Sequence, residues 1–397
     1  MLLPTSTYRA PDFMAAARSL GVEVVVGSER AQAMASAMGD RAVVVSMDDI
    51  DLAVEAVCSL HGRSPLDAVI AVDDRGLIVA AKASERLGLL HNPPEAVLAT
   101  RNKAVMRSRL AEASVPQPEY AMVGAGGDLA IAAATVGFPC VVKPVSRSAS
   151  QGVIRIDNPT EVLPAATRVR AIVGGEEMLL FERFVPGDEV AVEGMLLAGE
   201  LEVLAVFDKP DPLDGPFFEE TIYVTPSRHP APTLAAVDRL VAYAARAIGL
   251  REGPLHAEIR IGAGGDLRLL EIAARSIGGL CSRALRFGAG VSLEELILRH
   301  AVGAGIGAMV RERQASGVMM LPIRSGGVLE SVSGLAEARA LDGVVGVEMT
   351  VPYGRRVVPL PEGDRYLGFI FARGDDPAEV EATLRSAEAK LAVVIKP

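Results

Sequence analysis

The run His256-Ala-Glu-Ile-Arg-Ile-Gly-Ala-Gly-Gly-Asp-Leu-Arg-Leu-Leu-Glu-Ile-Ala-Ala-Arg275 alternates apolar and polar residues on both sides of Gly264-Gly265. A period of two is the mark of a strand, and Gly-Gly is a favoured two-residue hairpin turn. With that turn Glu258 lies directly opposite Glu271, on one face with His256, Arg260, Ala273 and Arg275. Like charges placed opposite each other destabilise a sheet. A divalent cation between them reverses the penalty, and Mg²⁺ takes hard carboxylate oxygens. The competing reading is the solvated outer face of a hairpin. Leu269 and Leu270 beside the acids, and Arg275 leading into Gly278-Gly279, favour the metal pair. The register holds only for an even loop, and an odd one breaks it.

Two upstream segments bear on the hairpin. Lys143 ends the apolar run Phe138-Pro-Cys-Val-Val-Lys-Pro144, where an ammonium must reach water, an acid or an anion. The segment after it, Ser146-Arg-Ser-Ala-Ser-Gln-Gly152, is small, polar and rich in backbone donors, as loops that close over phosphates are. It is not a Walker A loop, since no G-x-x-x-x-G-K-[ST] is present. By itself this signal reads equally as a solvated hairpin end. Further on, Glu176 to Glu193 reads as strand–turn–strand, and Glu189 there could accept sugar hydroxyls through two oxygens.

Around these segments the chain is acidic and aliphatic. It has 397 residues, 40 Lys+Arg against 50 Asp+Glu, a net charge of −10, and no Trp. A balance this acidic disfavours nucleic acid and anionic membranes as partners. No window approaches 18 apolar residues free of charge, so no transmembrane helix is expected. Cys58, Cys140 and Cys281 are too few and scattered for a disulfide or zinc framework, and no basic-then-apolar leader opens the chain, so the expected compartment is the cytoplasm.

The element pattern suggests three parts. Residues 1–98 alternate strands (Val22–Val26, Val43–Val45, Ala68–Val72) with helices (Arg30–Met38, Asp49–Leu60, Gly76–Leu87), the signature of a small parallel α/β sheet. No G-x-G-x-x-G follows its first strand, so no dinucleotide site is indicated. Residues 99–308 hold a helix capped by Thr100, the strands just described, and helices at Asp128–Val136, Pro232–Ile248 and after the capping box Ser292–Glu295. They divide into lobes at about 99–185 and 186–308. Residues 309–397 read βαββαβ, the ferredoxin-like order, as a separate module.

The ordered set Asn102-Lys103, V-V-K-P around Lys143, the small-residue loop, F-E-R-F-V-P-G-D-E, H-A-E-I-R and E-I-A-A-R-S-I-G-G resembles the ATP-grasp superfamily. Within it the chain resembles carboxylate–amine ligases of the L-amino acid ligase type. L-D-G-V-V-G-V-E and Y-L-G-F-I-F-A-R-G in the tail fit the C-terminal subdomain of those ligases. The resemblance implies a mixed α/β and α+β architecture: a Rossmann-like pre-ATP-grasp domain, an ATP-grasp fold and a small ferredoxin-like C-terminal subdomain.

It further implies ATP and Mg²⁺ (or Mn²⁺) as cofactors, small-molecule carboxylate and amine substrates, and a family in which homodimers occur. Lys103 and Lys143 would contact ATP phosphates, and Ser148, Ser150 and Gly152 would lie in the loop over the triphosphate. Glu182 and Val185 would address adenine through their backbones, and Glu189 the ribose. Glu258 and Glu271 would hold Mg²⁺. Arg275 would stabilise the acyl phosphate and tetrahedral intermediate, with His256, Gly278, Gly279 and Asp73 on the substrate side. One departure stands out: many ATP-grasp enzymes carry E-x-N at the second metal glutamate, and here the Asn position is Ala273. The implied reaction is amide formation through an acyl phosphate with release of ADP and phosphate. The alternatives are a biotin-carboxylase-like or purine-biosynthetic ligase, and an inactive ATP-binding module.

Overall fold

The computed structural model describes residues 1–5, 7–30, 42–307 and 310–397. The N-terminal part contains α1 (Ala10–Leu20), β1 (Val26–Ser28), β2 (Ala42–Val44), α2 (Ile50–Arg63) and α3 (Leu77–Leu87). β1 and β2 pair in parallel. Leu2 bridges in parallel to Gly27 on one side and Ala71 on the other, so the first residues of the chain fill the sheet. The expected strand at Val22–Val26 begins only at Val26, and Ala68–Val72 contributes a single bridge at Ala71. Beyond Arg30, the helix expected over Arg30–Met38 lies outside the described residues. Asp49 caps α2 by accepting the Leu52 N–H.

One helix was expected to run from a Thr100 cap. Two are found, α4 (Pro94–Arg101) and α5 (Lys103–Glu112). Asn102 adopts extended dihedrals between them, and its Oδ1 accepts the N–H groups of Ala104 and Val105. An Asn cap satisfies two donors at once. Thr100 lies buried within α4, its hydroxyl turned back to the Val97 carbonyl. The break puts Lys103 at the first position of α5.

The next lobe holds β3 (Tyr120–Val123), α6 (Leu129–Val136), β4 (Cys140–Pro144), β5 (Ile154–Ile156), α7 (Val162–Val173) and β6 (Leu179–Arg183). Its strands form an antiparallel sheet ordered β3-β6-β4-β5. Both helices pack on it over Val142, Ile156, Phe181 and Val169.

The remainder is built on a second, larger sheet. It comprises β7 (Asp188–Leu197), β8 (Glu200–Lys209), β9 (Ile222–Thr225), α8 (Ala231–Ile248), β10 (Gly253–Ile261), β11 (Leu267–Ala273) and α9 (Leu293–Ala301). The C-terminal part then adds β12 (Ala315–Leu321), β13 (Gly327–Ser333), α10 (Leu335–Arg339), β14 (Val344–Met349), β15 (Arg356–Val357), β16 (Gly368–Gly374), α11 (Pro377–Glu388) and β17 (Ala392–Lys396). Eight of these strands form one sheet in the order β11-β10-β7-β8-β9-β12-β16-β14.

The C-terminal part is therefore not a free-standing module. β12 is buried at every residue and needs a partner on each edge, which β16 and β9 supply. A ferredoxin-like order would place the last strand beside β12. Here β9 holds that edge, and the largely exposed β17 pairs instead with β13 in a separate sheet, β15-β13-β17. The α10 and α11 elements and the β12-β16-β14 order remain ferredoxin-like. α8, α4 and α5 cover one face of the β7-β10-β11 region through Val241, Leu255, Ile259 and Ile272.

Candidate active site

Glu258 does pair with Glu271, but by a route the turn alone would not give. Ile261 pairs with Leu267, so residues 262–266 form an odd loop, and Ile259 pairs with Leu269. The register then shifts between Ile259 and Glu258, leaving Leu270 as an extra residue on β11. This β-bulge reverses the facing of everything beyond it. Leu267 and Leu269 point into the core shared with α8, and past the bulge Ile272 and Ala274 do so instead. Glu271, Ala273 and Arg275 thereby turn to the face that carries His256, Glu258 and Arg260.

That face forms one wall of a cavity of about 550 Å³ between the two sheets and the N-terminal part. Lys103, Lys143, Ser148, Ser150, Glu182, Val185, Glu189, His256, Glu258, Glu271, Arg275, Gly278, Gly279 and Asp73 all line it. Gly152 does not line it; its N–H is bonded to the Pro361 carbonyl. Any side chain at Gly279 would put its Cβ 2.8 Å from the Phe369 ring, so that wall admits only glycine.

Each lysine has a partner. Lys143 Nζ lies 2.6 Å from Glu182 Oε2, and Lys103 Nζ lies 3.1 Å from Glu271 Oε2 and donates to the Arg147 carbonyl at 2.7 Å. Burial lowers the pKa of Lys143, with Arg107 and Lys103 pushing the same way and Glu182 opposing. Burial would raise the Glu182 carboxyl, but Arg107 and Lys143 pull it down to about 2. Glu182 was expected to act through its backbone. That backbone is paired on both sides within β6, and its carboxylate makes the contacts at the cavity. Val185 lies just past the ladder, and neither of its backbone groups is bonded among the described residues. Phe184 and Phe218, with ring centroids 6.3 Å apart, stand beside it. Glu189 is held by Arg260 at 2.8 Å and Lys209 at 2.6 Å.

Arg275 donates to both oxygens of Asp74, at 2.7 and 3.2 Å, and Arg101 joins the same carboxylate at 3.1 Å. Burial opposes ionisation of Asp74, but the two guanidiniums hold its carboxyl far below the usual range. Asp73 accepts the Arg75 N–H at 3.2 Å, and burial raises its carboxyl. His256 Nδ1 bonds to Glu193, and its Nε2 lies 3.4 Å from Glu258. The phosphate-loop candidates Ala149 and Ser150 both take left-handed dihedrals, φ 54°, a strain of the sort kept at ligand clamps.

Three residues escaped the sequence reading. Arg107 is fully buried and bridges Glu182 at 2.6 Å to the carbonyls of Leu269 and Leu270, the bulge itself. Its signal was present: Lys103, Arg107 and Leu110 recur at helical spacing on one face, and a charge in a buried stripe needs a partner. Lys209 is buried and contacts Glu189, Glu220 and Glu258. Oxygens of those three acids lie within 4.8 Å of one another. In sequence, the segment 207–226 with Lys209 and Glu220 reads only as a border of the substrate region. Glu193 braces both His256 and the Ile277 N–H.

Family comparisons agree with this arrangement. Residues 136–284 match the model of the ATP-grasp domain, 14–90 that of the ATP-grasp N-terminal domain, and 319–396 that of the L-amino acid ligase C-terminal domain 2. The chain is similar to an uncharacterized protein of Sinorhizobium fredii, 26% identical over 305 residues (74% of this chain, 61% of the relative). It is also similar to alanine–anticapsin ligase of Bacillus subtilis, 26% identical over 266 residues (62% of this chain, 56% of the relative). The chain thus spans about three fifths of those two relatives. Among solved structures, an L-amino acid ligase from Bacillus licheniformis superposes with a TM-score of 0.82 at 25% identity, covering 100% of this chain and 98% of the other.

Proposed function

We propose, for a chain that belongs to the ATP-grasp superfamily and ends in a domain of the L-amino acid ligase kind, that it joins a carboxylate to an amine with cleavage of ATP to ADP and phosphate. The observation that carries this reading is the convergence on one cavity of Lys103, Lys143 and Arg275 with the cross-strand pair Glu258–Glu271.

The substrate carboxylate attacks the γ-phosphate of ATP and forms an acyl phosphate, while ADP leaves. The amine then attacks the acyl carbon, loses a proton and expels phosphate. Lys103 and Lys143 bind the polyphosphate and offset charge that builds up in the transfer. Phe184, Phe218 and the free backbone of Val185 suit a planar base, and Glu189 suits ribose hydroxyls. Arg275, aimed by Asp74, faces the oxyanion of the tetrahedral intermediate, where a fixed charge in a dry site is most effective. The loop 146–152, tied to the C-terminal part through Pro361 and Glu362, excludes water from the acyl phosphate. Two carboxylates facing one cavity fit a hard cation: Glu258 and Glu271 would hold Mg²⁺, which when bound neutralises phosphate charge.

The C-terminal domain match favours this reading over the biotin-carboxylase-like and purine-biosynthetic ones. The presence of every lysine, acid and arginine just named disfavours an inactive module. The test is a phosphate-release screen over pairs of amino acids and small carboxylates with MgATP. Amine-dependent ADP and phosphate are expected. AMP and pyrophosphate, or ATP binding without turnover across the panel, overturns the proposal.

A further inference from the structure

The lobe that carries the phosphate-loop candidates meets the C-terminal part at a short segment, Pro361-Glu362, between β15 and β16. Arg168, on α7, donates through Nε to Glu362 Oε1 at 2.6 Å and through a terminal nitrogen to Oε2 at 3.0 Å. A two-pronged pair of this kind fixes orientation as well as distance. Its hydrogen bonds hold the Glu362 carboxyl below the usual range. The Glu362 carbonyl accepts from Gln151 Nε2 at 2.8 Å, and the Pro361 carbonyl accepts the Gly152 N–H at 2.8 Å. The Phe217 ring lies 4.9 Å from the Arg168 guanidinium and steadies it. One helix and the loop 146–152 are thus fastened together to two consecutive residues.

Those two residues sit on a firm support. The Gly363 N–H bonds to the Pro359 carbonyl at 2.8 Å, and a Cβ at Gly363 would lie 2.2 Å from the Val358 carbonyl oxygen, so the turn is tightly closed. Thr350 Oγ1 donates to the Tyr366 carbonyl at 3.2 Å. Between these anchors Asp364, Arg365 and Tyr366 line the cavity, and Gln151 lines it from the loop. The wall is continuous across the joint only while the joint is made. Two of its bonds run to backbone carbonyls, but Arg168 and Glu362 have side chains 45% and 39% exposed. An ion pair this open to solvent shifts an equilibrium by no more than about fivefold, and salt weakens it. A contact of that strength opens and shuts, as product release requires. Resting on the ligase reading, we propose that Arg168 and Glu362 are positioning residues that form an electrostatic latch, holding the loop 146–152 shut over the acyl phosphate until the amine has reacted. With the latch open, water takes the place of the amine: it returns the carboxylate and phosphate, so ATP is cleaved and no amide forms.

The experiment counts ADP and amide in the same reaction. Wild type, Glu362→Gln, Arg168→Met and the exchanged pair Arg168→Glu/Glu362→Arg receive saturating MgATP and the substrate pair that gives most product in the release screen. Both single variants should raise the excess of ADP over amide about three- to fivefold, the loss of one exposed ion pair, and the exchanged pair should return it to within about twofold of wild type. A merely structural role is not rescued by exchange. Raising KCl from about 0.05 to about 0.5 M should raise the excess at least about twofold in the wild type and leave Glu362→Gln unmoved; the wild-type half of this measurement needs no variant to fold. Amide hydrogen exchange over residues 146–156, followed without substrates, should quicken in both single variants. Unchanged exchange or unchanged excess in them, no recovery in the exchanged pair, or a wild type indifferent to salt overturns the latch. If the wild type makes no amide, the ligase reading falls, and hydrogen exchange alone still decides the latch.

Discussion

Glu182→Gln tests the centre of the site most directly. In the native chain one buried carboxylate serves two buried cations, Arg107 at 2.6 Å and Lys143 at 2.6 Å. Glutamine keeps the shape and removes the charge, leaving the two cations facing each other. Two routes give the cost. The carboxyl falls from its ordinary 4.5 to about 2 against the pull of burial. At about 1.4 kcal/mol per pKa unit, that is roughly 3 kcal/mol. Removing one partner of a buried pair independently costs about 3–5 kcal/mol. A loss near 3–4 kcal/mol is expected at pH 7.5, or a drop in Tm of very roughly 6–16 °C for the unit that contains the site. Because the folded pKa is depressed, this stability is present above pH 4.5 and lost as pH falls toward 2. Wild type and variant therefore differ most at neutral pH and converge in acid. The assay is urea denaturation at pH 7.5 and 4.0 of the wild type, the single variant and Arg107→Met/Glu182→Gln. The double variant removes the stranded guanidinium and should be more stable than Glu182→Gln alone. A loss under about 1 kcal/mol for the single variant, or no recovery in the double, refutes the reasoning.

Arg275→Ala should leave nucleotide affinity within about threefold by titration calorimetry and lower amide formation by a factor on the order of 10²–10³, the usual cost of losing an oxyanion donor. Full activity would remove Arg275 from the mechanism. Lys209→Met leaves Glu189, Glu220 and Glu258 without their shared cation, so the variant should gain more Tm from millimolar Mg²⁺ than the wild type does; equal gains would contradict that. Gly152→Ala forces φ +74° on a residue with a Cβ, which would meet Pro144 Cδ at 3.1 Å. The strain of about 1–2 kcal/mol falls on the candidate phosphate loop, so KM for ATP should rise several-fold while Tm falls by only about 2–8 °C.

Local signals carried most of what was legible. The caps at Asp49, Asp128 and Ser292, the alternation of the two site strands and the placement of Lys143 at a strand end all follow from near neighbours. Which strands share an edge does not. Nothing near Ala315–Leu321 says that β9, about ninety residues earlier, completes its sheet, and the separate C-terminal module gave way there. The hairpin shows the same boundary at finer scale. Turn chemistry favoured an even loop, an odd loop formed, and one extra residue at Leu270 restored the pairing of the acids. Arg107, 163 residues away in sequence, donates to the carbonyl of that extra residue. A bulge held by a distant side chain has no local signature in the strand that bulges.

Charge gives the same lesson on the scale of the whole molecule. The chain carries fifty acids against forty basic residues, which argues against polyanionic partners. The cavity inverts that balance, with ten lysines and arginines against eight aspartates and glutamates on its lining. Several of those acids are already committed, Asp74 to Arg275 and Arg101, Glu182 to Lys143 and Arg107, Glu271 to Lys103. His256 strengthens the inversion. Burial would lower its pKa, but Glu193 and Glu258 raise it to about 9, so it adds a cation at neutral pH. It pairs across the strand with Ala273. The field a triphosphate would meet in this cavity is set by such local pairs rather than by the net charge of −10.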